Sequence, residues 1–173
     1  VPLMIWGAPG IGKSDLVREA AAVQGYPLID LRLSQLEPTD LRGIPLQDNG
    51  KVRWIPPDEL PDEARDGPHG VLFLDEINAA PPPVAAAAYQ LILDRRLGAY
   101  RLPEGWSIVA AGNRLDDRGI TYVMPAPLAN RFMHVELQAD VDAWLAWAAR
   151  QGIDPVLRDF MAEQPHWLAR FLP

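Results

Sequence analysis

Short, nearly continuous apolar runs alternate along the chain with longer stretches in which apolar residues recur every three or four positions. The first pattern is that of strands and the second that of amphipathic helices. Their alternation predicts a parallel sheet with helices on both faces. Strands are expected at 2–6, 28–33, 71–75, 107–111 and 133–137, and the leading helices near 13–24, 83–95 and 126–131. Val71-Leu72-Phe73-Leu74 is apolar at every position instead of at alternate ones, as a central strand covered on both sides requires. Pro81, Pro82 and Pro83 suit the first turn of a helix, where a missing N–H removes no hydrogen bond.

The rhythm breaks twice. Ile44 and Leu46 lead into Asp48-Asn49-Gly50, after which Val52 and Trp54 resume, and Asn-Gly between two short runs predicts a hairpin. Residues 97–108 predict a second hairpin, punctuated by Gly98, Pro103 and Gly105. From residue 140 the pattern turns helical. Asp140 caps a segment whose Val141, Trp144, Leu145 and Ala148 share a face and which stops at Gly152. Asp154-Pro155 opens another with Val156, Leu157, Phe160 and Met161, and Trp167, Leu168, Phe171 and Leu172 follow. The domain reading is therefore a core over 1–138 and a partial helical lid over 139–173.

Composition narrows the chemistry. With no cysteine there are no disulfides or thiolate metal sites, and His69, His134 and His166 are too widely spaced for a metal-ligand pattern. Any metal must be held by hard oxygen ligands. A net charge of −7 disfavours broad nucleic-acid binding, which needs a cationic surface. The longest apolar stretch, 79–93, contains three prolines and falls short of the roughly 20 residues of a membrane span. No secretory leader opens the sequence, so a cytoplasmic location is expected. Val1-Pro2-Leu3-Met4-Ile5-Trp6 reads as a core strand met close to its start, which predicts a piece of a longer chain.

Gly7-Ala8-Pro9-Gly10-Ile11-Gly12-Lys13-Ser14 fits the phosphate-binding pattern G-x-x-x-x-G-K-[ST], between an expected strand and an expected helix. Its glycines let backbone N–H groups turn toward phosphate oxygens, and the following helix adds the positive end of its dipole. Lys13 is expected on the β- and γ-phosphates and the Ser14 hydroxyl on Mg²⁺. Asp75 and Glu76 close the buried strand at its carboxyl end, where parallel sheets bind ligands. Asp75 is assigned to Mg²⁺ and Glu76 to orienting or deprotonating the attacking water. A further apolar strand ends in Asn113, whose amide could donate to a γ-phosphate and accept from water; an asparagine closing a turn would look the same.

The phosphate loop, Leu74-Asp75-Glu76-Ile77-Asn78-Ala79-Ala80-Pro81-Pro82, Ala111-Gly112-Asn113, Gly119-Ile120-Thr121-Tyr122 and Pro127-Leu128-Ala129-Asn130-Arg131-Phe132 together resemble MoxR-like AAA+ ATPases, in order and spacing, to about residue 137. The resemblance implies a P-loop NTPase three-layer α/β sandwich with a five-stranded parallel sheet in the order 5-1-4-3-2. It makes Asn113 the sensor-1 residue and Arg131 an arginine finger directed at a neighbouring subunit. It makes the two hairpins the helix-2 insert and pre-sensor-1 hairpin, usually facing a ring pore. It further implies ATP and Mg²⁺ as ligands, a homo-oligomeric ring, expected to be a hexamer, and in some members a von Willebrand A-domain partner protein. Arg95, Arg96, Arg114 and Arg118 could also reach an interface, although ordinary surface charge accounts for them as well. The chain departs from the family in lacking a sensor-2 arginine motif after residue 140 and the segment that precedes the first strand.

An ATP-hydrolysing remodelling machine is thus the leading expectation. A small-molecule kinase would need an acceptor pocket and an arginine-bearing lid, where this chain has two hairpins. A non-catalytic nucleotide-gated module would not need Lys13, Asp75 and Glu76 together. A nucleic-acid motor related to the MCM helicases would rest only on Lys51, Arg53 and Arg101 of the hairpins.

Overall fold

A computed structural model describes residues 1–114 and 122–168. The chain runs through β1 (Leu3–Trp6), α1 (Lys13–Gln24), β2 (Leu28–Arg32), α2 (Pro38–Arg42), β3 (Ile44–Asp48) and β4 (Lys51–Ile55). It continues through α3 (Glu63–Asp66), β5 (His69–Asp75), α4 (Pro82–Asp94), β6 (Arg96–Leu97), β7 (Tyr100–Arg101) and β8 (Gly105–Gly112). The remaining elements are α5 (Ala126–Ala129), β9 (Met133–Glu136), α6 (Val141–Arg150) and α7 (Pro155–Glu163). Five strands form one sheet in the order β2-β5-β8-β1-β9, parallel throughout. Counted among themselves these strands run 5-1-4-3-2, the order expected.

Neighbouring residues of each central strand serve opposite faces of the sheet. Ile5, Val71, Phe73 and Ala111 pack with Val17 and Ala21 of α1. Met4, Leu72, Leu74 and Ala110 pack on the other side with the Val84, Ala88 and Leu91 side of α4. A strand covered on both sides has no position to leave polar, which explains the unbroken apolar run of β5. The helix starts follow local chemistry. Pro81 precedes α4 and two further prolines fill its first turn. Gly25 ends α1 in the left-handed region, its N–H donating to Ala21 and Ala22 carbonyls.

The β3–β4 hairpin turns on Asn49 and Gly50, both at positive φ, as a two-residue turn of that twist demands. All ten of its strand residues are exposed, Ile44, Val52 and Trp54 among them. The second hairpin is shorter than the 97–108 expected: Arg96–Leu97 pairs with Tyr100–Arg101, and residues 105–108 belong to the central sheet. Trp106 and Ile108 are buried there and alternate with exposed Ser107, so burial claims them for β8. Helix α5 also ends two residues earlier than expected, at Ala129. Asp140 caps α6 by accepting from Ala143 N–H at 2.9 Å, and Asp154 caps α7 by accepting from Val156 N–H at 2.8 Å. The two helices pack on each other. No helix among the described residues is long and apolar enough to cross a membrane. Arg118, Gly119 to Thr121, Phe171 and Leu172 lie outside the described residues.

Candidate active site

Because the sheet is parallel, the loop after β1, the end of β5 and the end of β8 meet at one edge. Gly10 and Gly12 adopt positive φ, and open space surrounds the place where a Cβ would sit on either. Helix α1 begins at Lys13 with no side chain capping its first turn, which leaves its N–H groups available to an anion. Lys13 is buried. Its Nζ donates to the carbonyls of Gly7 at 2.8 Å and Ala8 at 3.0 Å and to Asn113 Oδ1 at 2.9 Å. The ammonium is thereby aimed across the mouth of its own loop, and Asn113 is drawn to the same point.

The Ser14 hydroxyl donates to Asp75 Oδ2 at 2.7 Å, and the Asp75 carboxylate is buried at 5% exposure. These are hard oxygen donors suited to Mg²⁺, which takes few protein ligands and keeps waters and phosphate oxygens for the rest. No group of three or more acidic, histidine or cysteine side chains that could hold a metal ion is present among the described residues. Asp30, on neighbouring β2, has its carboxyl held above the usual carboxylate range by burial and then by the negative charge of Asp75, with Arg18 and Arg32 opposing.

Glu76 occupies the left-handed region at φ 56°, unusual for a residue with a Cβ. That turn swings its side chain toward the end of β2 and the turn after it, where Ser34 Oγ donates to Oε2 and Arg32 Nε lies 3.8 Å from Oε1. Sequence reading missed Ser34 and Arg32, which sit 42 and 44 positions before Glu76 and join it only because β2 pairs with β5. It missed Asn78 as well, although that residue is a polar position set between Ile77 and Ala79. Asn78 is buried, and its amide meets the backbone of Asn113. Gly112 shows how close this approach is: an added Cβ would stand 2.7 Å from Asn78 Oδ1 and 2.8 Å from Met4 Cε. Gly112→Ala is expected to lower stability by about 1–3 kcal/mol, read from the midpoint of urea unfolding. A midpoint unchanged from wild type would show that Asn78 and Met4 move aside freely.

Arg131 does not join this cluster. It is exposed in the turn after α5, at the opposite ends of the strands, where Met133 N–H donates to Pro2 O at 2.9 Å. Strand β1 and the first residue of the phosphate loop separate the two ends, and at about 3.3 Å per residue from Pro2 to Gly7 that is about 16 Å. Arg95 proves structural: Nη2 donates to Pro103 O and Trp106 O, each at 2.7 Å, and ties down the segment before β8. Arg114 pairs with Glu136 at 2.9 Å, and Arg96 is exposed on its hairpin. Between the phosphate loop, α1 and α6 lies a cavity of about 660 Å³ lined by Gly12, Leu16, Leu137, Asp140 and Trp144. The loop forms one of its walls, so there is room for a nucleoside beside the loop.

A glycine-rich loop with its lysine, a hydroxyl–carboxylate pair and a second acid directly after Asp75 at the end of β5 form the arrangement of a P-loop, set in the parallel sheet order of AAA-type proteins. The comparison with known families agrees: residues 2–132 match the AAA domain of the dynein-related subfamily, and the chain belongs to that family. Among individual proteins it is similar to Protein MoxR of Paracoccus denitrificans, 31% identical over 147 residues, covering 82% of this chain and 42% of that protein. Protein MoxR of Methylorubrum extorquens is 32% identical over 149 residues, covering 82% and 42%. The fold matches crystal structures of a Cytophaga hutchinsonii protein (TM-score 0.60, 18% identity, 88% of this chain and 46% of that one) and of NtrX from Brucella abortus in complex with ADP (0.55, 18%, 89% and 38%). The chain spans less than half the length of these MoxR relatives.

Proposed function

We propose that this chain binds Mg-ATP with its phosphates over residues 7–14 and hydrolyses it as one subunit of a ring that remodels a protein or a complex. The observation that carries this reading is the meeting of Lys13, Ser14, Asp75 and Asn113 at one edge of the sheet through contacts of 2.7–2.9 Å. The backbone N–H groups of the loop and of the first turn of α1 bind phosphate oxygens, and Lys13 exchanges its carbonyl partners for the β- and γ-phosphates. Ser14 and Asp75 hold Mg²⁺, which when bound neutralises phosphate charge. Asn113, at the tip of the Lys13 ammonium, orients the terminal phosphate and the water. Glu76 accepts a proton as that water attacks the γ-phosphorus, and the bond to the bridging oxygen of ADP breaks.

Residues 139–173 are read as a partial helical lid, and α6 of that segment borders the cavity at Trp144. A homo-oligomeric ring, taken as a hexamer, supplies Arg131 of one subunit to the site of the next, and its place about 16 Å along β1 from its own loop supports action in trans. The chaperone-type role rests on relatives: BssE of Thauera aromatica, named as a candidate chaperone, is 31% identical over 140 residues. A von Willebrand A-domain protein is the partner proposed for the cytoplasmic assembly. With a net charge of −7, nucleic acid is disfavoured as the client.

Nucleotide-induced thermal stabilisation tests the binding site. A ligand at 100 times its Kd adds about 2.7 kcal/mol to the folded state, enough to shift the melting temperature by several degrees. Lys13→Ala should abolish the shift, and a shift equal to that of wild type would locate the phosphates elsewhere.

A further inference from the structure

The ladder between β5 and β8 ends at Leu74 opposite Ala110. Beyond it β5 turns away through Asp75 and the left-handed Glu76, while β8 runs on to Gly112. Asn113 would therefore present its backbone N–H and C=O to an empty place where the neighbouring strand has left. The carboxamide of Asn78 fills that place. Its Nδ2 donates to Asn113 O at 2.7 Å, and its Oδ1 accepts from Asn113 N–H at 3.2 Å. One side chain thus reproduces both hydrogen bonds of a ladder rung and extends the order of β8 by one residue.

That residue is the one whose Oδ1 accepts from Lys13 Nζ at 2.9 Å. We infer that Asn78 is a positioning residue for hydrolysis, which fixes the backbone of Asn113 and through it the aim of the Asn113 amide; the inference rests on the role given to Asn113 above. Only a carboxamide fits. Aspartate would set a second acceptor against the Asn113 carbonyl, and serine cannot span both backbone groups at once. Asn78 also lies in the short turn that begins with Glu76, so the group proposed to handle water and the group aimed at the terminal phosphate are joined through one buried side chain. The absence of room for a Cβ at Gly112, against Asn78 Oδ1, is what such a close clasp requires.

The test is a cycle of variants in the assembled protein, following kcat, KM for ATP and nucleotide affinity. Asn78→Ala should lower kcat at least about tenfold, because an angstrom of misplacement at a reacting group costs up to about 100-fold. Affinity for ATP should stay within about threefold, since the side-chain hydrogen bonds of Asn78 run to the backbone of Asn113 and not to the phosphate loop. In an Asn113→Ala background the same substitution should cost less than about twofold, because there is no longer an amide to aim. A further tenfold loss in that background, or an unchanged kcat in the single variant, overturns the inference. If Asn113→Ala itself hydrolyses ATP normally, the role of Asn113 fails instead. Amide exchange in the unaltered protein decides the matter should the Asn78 variants not fold. Asn113 N–H should exchange at least about 100-fold more slowly than in an unstructured chain. Exchange at the unstructured rate would mean the clasp does not hold.

Discussion

Glu76→Gln is expected to bind ATP as tightly as the unaltered protein and to hydrolyse it at least about 100-fold more slowly, the usual scale for losing a positioned general base. The substitution keeps the size of the side chain and its Cβ, so the left-handed turn at φ 56° keeps the steric conditions it already tolerates. The amide can still accept from Ser34 Oγ, and losing the 3.8 Å contact with Arg32 costs little because both groups are substantially exposed. What disappears is the ability to take a proton. Single-turnover hydrolysis with ATP held below the protein concentration isolates that step from product release. A rate within a few-fold of wild type would remove Glu76 from the chemistry and leave it as a partner of Ser34. A lost nucleotide affinity would point instead to damage in the neighbouring Asp75, whose Oδ1 accepts from Glu76 N–H at 2.8 Å.

How far the sequence foretold this site depends on the span over which each contact is made. The phosphate loop is local: eight consecutive residues carry the motif, and the strand before and helix after it are set by patterns a few residues long. The same holds for Asp75 at the end of an apolar run and for the Asn49-Gly50 turn. The clasp of Asn78 on Asn113 spans 35 positions, and Ser34 reaches Glu76 over 42. No periodicity encodes either, because both follow from which strands become neighbours. The misjudged second hairpin has a related cause. Gly98, Pro103 and Gly105 all signal turns, but pairing of His69–Leu72 with Gly105–Ile108 gives residues 105–108 a better place in the central sheet. Arg131 is an intermediate case: family resemblance named it, and only the register of β9 on β1 shows how far it stands from its own loop.

Arg131→Ala is expected to stop turnover, with a loss on the order of 10³- to 10⁵-fold if the finger acts as in other P-loop enzymes, while ATP binding stays nearly intact. The site edge supplies Lys13 as a buried cation, already oriented by two loop carbonyls and Asn113. In the proposed site Lys13 would serve the ground state as well as the transition state, since it would meet the phosphates on binding. Charge that develops on the transferred group calls for a second cationic side chain beside Lys13 and a bound Mg²⁺, and a guanidinium with its fixed fork of donors suits it. Arg131 lies at the opposite strand ends from the loop of its own chain, a path along β1 of about 16 Å, so it must serve a neighbouring copy if it serves any site. Hydrolysis per subunit should then rise steeply with protein concentration as copies assemble. Mixing Arg131→Ala with Lys13→Ala subunits separates this from simple misfolding. Each variant is inactive alone, but at some mixed interfaces an intact loop faces an intact Arg131, and part of the activity should return. A mixture that stays inactive while both variants assemble, or a dilute monomer that hydrolyses ATP at the full rate, would show that the second cation comes from elsewhere.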